Sequence, residues 1–200
     1  MNRHRVRNDV RSRIAYLAAR IMAEDGLEDF GLAKRKAARQ VGAPDTRDLP
    51  SNEEVEEALR LHQAIYQHDH DDDVRSLRHS AAAIMESLSA HRPRLTGSVL
   101  SGTAGPNASI NIQLYADDEK VVEMQLIQER IAYRAGQARI YVGDDMRVVP
   151  AFMVDRDGTE VELMVLTSDD LRLPVRKTPD GRPMERAKLE AVKRLLDGDG

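Results

Sequence analysis

The stretch from Arg94 to Asp118, RLTGSVLSGTAGPNASINIQLYADD, is where the character of the chain changes. Gly97 and Ser98 follow a helical segment and a short apolar one. Glycine allows close backbone approach, and a serine hydroxyl with its neighbouring amides can hold phosphate oxygens. A second small-residue turn, Gly102-Thr103-Ala104-Gly105-Pro106, comes next. The run SINIQLY, Ser109 to Tyr115, then alternates apolar and polar residues and predicts a strand with one buried face. Alternate residues on a strand share a face, so Ser109 and Asn111 point together.

Everything before this stretch has helical spacing. Ile14, Leu17, Ala18, Ile21 and Met22 form one apolar face, with Gly26 as the stop. A second helix is expected over Leu32 to Val41, then a loop over Ala43 to Pro50, APDTRDLP. Ser51 and Glu54 have the spacing of a capping box, which opens a third helix through Val55, Leu59, His62 and Tyr66. A fourth is expected from about Asp73 to Ala90, with acids in the first turn, where the helix dipole favours them.

After the quoted stretch, Asp118 to Ile131 returns to helical spacing, with Asp117 and Asp118 as its turn and N-cap. Strands are expected at Ala138–Val142, Arg147–Val154 and Glu160–Leu166, the last two joined by an Asp155-to-Gly158 hairpin turn. Met184 to Leu196 closes the chain as a helix. Helices first and then a mixed sheet with packed helices is an α+β plan. The expected organisation is a helical N-terminal region, residues 1–92, and an α+β domain, residues 93–200.

The composition narrows the function classes. The chain has 200 residues, no cysteine and no tryptophan, which rules out disulfides, thiolate metal sites and cysteine nucleophiles. No apolar run is long enough to span a bilayer and none follows the basic N-terminus as a signal peptide would, so the sequence points to a cytoplasmic protein with no membrane partner. The net charge of −4 does not favour nucleic acid. Arg3, Arg5, Arg7, Arg11, Arg13 and Arg20 nevertheless make a basic arm that could meet nucleic acid or an acidic partner; a solvated terminus is the plainer account.

The central stretch resembles the active-site entrance of the nucleotidyltransferase superfamily of the DNA polymerase β type. That family carries a helix, a Gly-Ser pair, a small-residue loop and a strand with aspartates at Asp-x-Asp spacing. The similarity runs over Gly97, Ser98, Val99, Gly102, Thr103, Ala104, Gly105, Pro106, Ile110 and Ile112. Ten matches in sixteen positions are more specific than a Gly-Ser pair alone. The resemblance implies a nucleotidyltransferase-like mixed sheet over about residues 94 to 167, with Gly97, Ser98, Gly102 and Thr103 as nucleotide-binding residues.

It departs at the aspartates. Ser109 and Asn111 stand where the family has its two metal-binding carboxylates, and Glu162, in the run Val161-Glu162-Leu163, stands where it has the third. Glu160 shares the face of Glu162 and competes for that role. A hydroxyl and an amide lack the charge that holds Mg²⁺ beside a triphosphate, so no metal site is assigned. The resemblance thus implies a nucleotidyltransferase-fold protein with a degenerate metal site, a nucleotide-binding or scaffolding pseudoenzyme with a nucleotide or a protein as partner. A second reading keeps an active transferase with atypical ligands, and only that reading calls for Mg²⁺.

Ile14 to Gly26 and the run Ala37 to Ala43, AARQVGA, make the segment Arg13 to Pro44 resemble, more loosely, the start of a TetR-type repressor, which would make the chain a helix-turn-helix DNA-binding regulator through residues 1–42. The prolines of APDTRDLP interrupt the recognition helix such a protein needs. The run His68 to Asp73, HDHDDD, has metal-binding residue types, but neighbours in a loop seldom converge, and acids entering a helix are explained by its dipole. His79 and His91 are expected at the surface.

Overall fold

The structure, a computed structural model, describes residues 3–25, 27, 29–44, 46–66, 70–105, 108–143, 145–177 and 183–198; of residues 3–9 it describes the backbone alone. The fold is α+β. The elements are α1 (Arg3–Asp25), α2 (Phe30–Gln40), α3 (Asn52–Tyr66), α4 (His70–Ser87), β1 (Arg94–Thr96), α5 (Ser98–Ser101), β2 (Ile110–Tyr115), α6 (Glu119–Gln128), β3 (Tyr133–Val142), β4 (Asp145–Arg156), β5 (Thr159–Leu166), β6 (Val175–Arg176) and α7 (Leu189–Asp197). Among the described residues no helix is long and apolar enough to cross a membrane.

Two compact units divide inside α4. The sequence-based boundary after residue 92 lies beyond that point. One unit holds the residues up to Asp73 together with Gly102–Ala108, the other Val74–Ser101 and the chain from Ser109 on.

In the first unit α1, α2 and α3 enclose a core of small and aliphatic side chains, among them Ile14, Ala18, Met22, Ala33, Ala37, Val55 and Leu59. Ala18 of α1 and Ala33 and Ala37 of α2 are fully buried in it. The helix spacing of the sequence is realised, but α1 begins at Arg3, so the basic arm is the first turns of a helix. Asp29 caps α2, its side chain accepting from the Leu32 amide. The capping box at α3 forms as the spacing predicts. The Ser51 amide donates to Glu54 Oε2 at 2.6 Å and the Glu54 amide to Ser51 Oγ at 3.2 Å. Glu54 also receives Arg11 of α1 through Nε at 2.8 Å. Residues 41–51, where described, form no helix.

The second unit is built on a six-stranded sheet, order β1-β2-β5-β4-β3-β6. β2 and β5 are parallel, and every other neighbouring pair is antiparallel. One face of the sheet carries Leu95, Ile112, Leu163, Phe152 and Val154; α4 and α6 reach that face through Ile84, Leu88 and Leu126. The other face carries Tyr115, Met164, Leu166, Val149 and Ile140, packed with Val175 and partly with Met184 and Leu171.

Several boundaries shift for physical reasons. β2 is buried on both faces, where the alternation predicted one. It lies between β1 and β5, where Gln113 Oε1 accepts from Tyr115 and Asn111 Nδ2 donates to the Ser109 carbonyl. β3 starts five residues before the expected Ala138, because Tyr133 to Gln137 have no alternation to reveal a strand. The closing helix starts at Leu189 instead of Met184, since Met184 bonds to Val175 and Ala187 bridges to Leu95. His79 is exposed as expected. His91 is not: it ends a 3-10 turn after α4 with 9% exposure, and its Nε2 has no hydrogen-bond partner among the described residues.

Candidate functional site

The site begins at the turn between β1 and α5. Thr96 is fully buried, and its Oγ1 donates to the Asn111 carbonyl at 3.2 Å. Gly97 then takes φ +77°, a conformation that strains any residue with a Cβ. A Cβ at Gly97 would stand 3.4 Å from Asn111 Nδ2, so the turn lies directly against the asparagine. Ser98 opens α5, and the Ser101 amide donates back to the Gly97 carbonyl at 3.0 Å.

The sheet register sets the remaining residues. Thr96 pairs with Asn111, Asn111 with Glu162, and Glu162 with Met153. Directly paired residues point to the same face, so these four side chains form a row across β1, β2, β5 and β4. The strand holding Asn111 and the strand holding Glu162 are therefore immediate parallel neighbours, in register, beside the glycine turn. Ser109 stands one residue ahead of β2, half-buried, and its carbonyl accepts from Asn111 Nδ2 at 3.1 Å. Glu162 is half-buried. Glu160 lies further along the same face, exposed and paired with Arg134 at 2.8 Å.

Gly102 and Thr103, the other two expected nucleotide contacts, belong to the first unit. There the Gly102 carbonyl accepts from His70 Nε2 at 2.9 Å and the buried Thr103 carbonyl from Gln63 Nε2 at 3.3 Å. Gly102 also has positive φ, +81°. Pro106 lies outside the described residues.

The donor set does not fit a pair of divalent cations. Asn111 offers an amide whose N–H is given to the Ser109 carbonyl, and Ser109 offers a hydroxyl. Asp117 and Asp118 do not substitute for them. Asp117 Oδ1 accepts from the Ser168 amide at 2.9 Å, which holds its pKa below the usual carboxylate value, and Asp118 caps α6 through the Lys120 amide. Among the described residues no group of three histidines or acids is arranged to hold a metal ion. His68 and Asp69 of the HDHDDD run lie outside the described residues. His70 to Asp73 form the first turn of α4.

Two features of this region were not visible in the sequence reading. Arg78 of α4 donates to the Val99 carbonyl through Nε and to the Leu100 carbonyl through NH2, both at 3.0 Å, and so fixes α5 behind the glycine turn. Its sequence signal was an arginine falling within the apolar spacing of α4. Beside Asn111 on the same face, Gln113 and Tyr115 continue a buried polar ladder. Tyr115 Oη donates to Gln113 Oε1 at 2.8 Å and accepts from Arg186 at 2.9 Å, while Gln113 Nε2 has no partner among the described residues. A groove of about 370 Å³ lies on the opposite face, between α4, α6 and the β4–β5 hairpin, away from this row.

A scan against protein-family models finds no match to the chain, and a search of the curated proteins finds none either.

Proposed function

We propose that the chain is a nucleotidyltransferase-fold pseudoenzyme of the cytoplasm that binds a nucleotide phosphate at the Gly97–Ser98 turn without Mg²⁺. The observation that carries this reading is the parallel, in-register pairing of Asn111 with Glu162 beside that turn. It is the arrangement the superfamily uses to gather its carboxylates, with the charge removed from two of three positions. Two-metal phosphoryl transfer depends on that charge, so transfer is lost while the glycine turn is kept. Ser98 and the amides of the turn would take the phosphate oxygens, and Arg78 holds α5 in place behind them.

The test is thermal unfolding with ATP and GTP, in EDTA and in Mg²⁺. Ligand at ten times its Kd stabilises the folded state by about 1.4 kcal/mol, a Tm rise of a few degrees. The expected result is an equal rise in both buffers that Gly97→Val removes. No rise with any nucleotide refutes the binding, and Mg²⁺-dependent release of pyrophosphate refutes the loss of catalysis.

A further inference from the structure

Among the described residues the sheet has a long open edge. β3 bonds to β4 along its whole length, from Tyr133 opposite Val154 to Val142 opposite Asp145. On its other side β6 meets it only at Tyr141 and Val142. Among the described residues nothing pairs with the outer edge from Tyr133 to Ile140. Unpaired edges are usually blunted by charged side chains, proline, bulges or shortness, and of these the edge carries only the charges of Arg134, paired with Glu160, and Arg139. This stretch contains no proline, its register with β4 is unbroken, and Ala135, Gly136, Gln137 and Arg139 are exposed.

We propose that this edge pairs antiparallel with the same edge of a second copy of the chain, about a two-fold axis at Gly136. The loop between β3 and β4 is two residues, 143 and 144, so Val142 and Asp145 form the bonded pair that closes the hairpin. By alternation, Tyr133, Ala135, Gln137 and Arg139 then turn their N–H and C=O groups outward.

The chemistry of the edge selects a copy of itself. An axis at Gly136 sets Tyr133 opposite Arg139, Arg134 opposite Ala138, and Ala135 opposite Gln137. The arginine of one copy then lies over the tyrosine ring of the other, whose Oη donates to Glu123 at 2.6 Å. A cation over an aromatic ring beside a carboxylate is a complementary contact. At the axis two glycines meet, with no side chains to hold the strands apart. A half-step shift would set an outward-bonding residue opposite one whose N–H and C=O already bond to β4, and an axis at Gln137 would bring Tyr133 against Tyr141, where β6 already lies.

Exposed apolar side chains flank the edge on the face that carries Tyr133. Val148 and Met146 of β4 are 51% and 55% exposed. Ile127, 59% exposed, stands one helical turn after Glu123 on the same side of α6. Pairing brings the β4 residues of one copy toward the α6 side of the other.

The test uses the full chain in light scattering and a cysteine scan, which the cysteine-free sequence permits. The wild type is expected at twice 22.4 kDa, and Gln137→Pro, which removes an outward N–H, at 22.4 kDa with an unchanged circular dichroism spectrum. Under mild oxidation Gly136→Cys is expected to give at least ~5-fold more covalent dimer than Arg134→Cys or Ala138→Cys, because only residue 136 faces its own copy. A Cβ at Gly136 has room, its nearest contact being the Ala151 carbonyl at 3.8 Å. A wild type that stays at 22.4 kDa up to ~200 µM overturns the proposal. So does a dimer whose strongest cross-link falls at 134 or 138, whatever Gln137→Pro does.

Discussion

Replacing Glu54 by glutamine tests the largest electrostatic feature of the first unit. The carboxylate accepts from its own capping partner Ser51 and from Arg11, and these contacts hold its pKa at about 2 instead of 4.5. The Arg11 hydrogen bond is the main cause. Taken at face value, a drop of that size is worth about 3.4 kcal/mol at ~1.36 kcal/mol per pH unit. The Glu54 side chain is 43% exposed and Arg11 38%, so solvent screening cuts the figure to about 1–1.5 kcal/mol. The folded-state pKa is depressed, so this stabilisation is complete above the unfolded value near 4.5 and is lost as pH falls through about 2. Glutamine keeps the size of the side chain and can still accept at the cap, but it carries no charge. Glu54→Gln is therefore expected to lower the urea midpoint at pH 7, read by far-UV circular dichroism, by an amount equal to about 1 kcal/mol. The deficit should shrink as pH falls from 4.5 to 2. The same deficit at pH 7 and pH 2, or none at pH 7, would refute the coupling of Arg11, Glu54 and Ser51.

Three more outcomes follow from the second unit. Asp170 is buried and accepts from Arg147 at 2.8 Å and from the Thr167 amide and hydroxyl, so Asp170→Ala, which leaves the Thr167 donors unpaired and the half-exposed Arg147 to solvent, should cost about 2 kcal/mol in denaturant unfolding. Tyr115→Phe removes the hydroxyl between Gln113 and Arg186 and should cost about 1–2 kcal/mol by the same measurement, more than an exposed tyrosine would. The double variant Ser109→Asp with Asn111→Asp should lower Tm in EDTA, since position 111 is 4% exposed. It should then gain a Mg²⁺-dependent rise in Tm that the wild type lacks; a variant indifferent to Mg²⁺ would mean that these positions do not converge on a cation.

What could be read in advance was whatever local chemistry dictates. The Ser51–Glu54 spacing formed its cap, the Asp155-to-Gly158 turn joined β4 to β5 with Asp157 and Gly158 at positive φ, and Gly97 took the backbone conformation that a side chain resists. Pairing of β2 with β5 was implied only by resemblance, and the register of Asn111 with Glu162 came from tertiary packing. Elements too short for periodicity were missed: β1 has three residues and β6 two, and neighbouring strands hold each in place. The burial of Asn111 and Gln113 was also hidden. Alternation marks polar side chains as solvent-facing, and it takes a central strand with Tyr115 and Thr96 beside them to make them interior.

The parallel pairing of β2 and β5 has a consequence for synthesis on the ribosome. β3 and β4 can zip together as soon as both have emerged, because their contacts are local. β2 must wait until Leu166 is free, with α6 and the whole hairpin intervening. During that interval the run Ile110 to Tyr115 has one flank without a neighbour. Closing that gap is a long-range pairing of the slow kind, and until it is complete an unpaired apolar strand edge is open to aggregation.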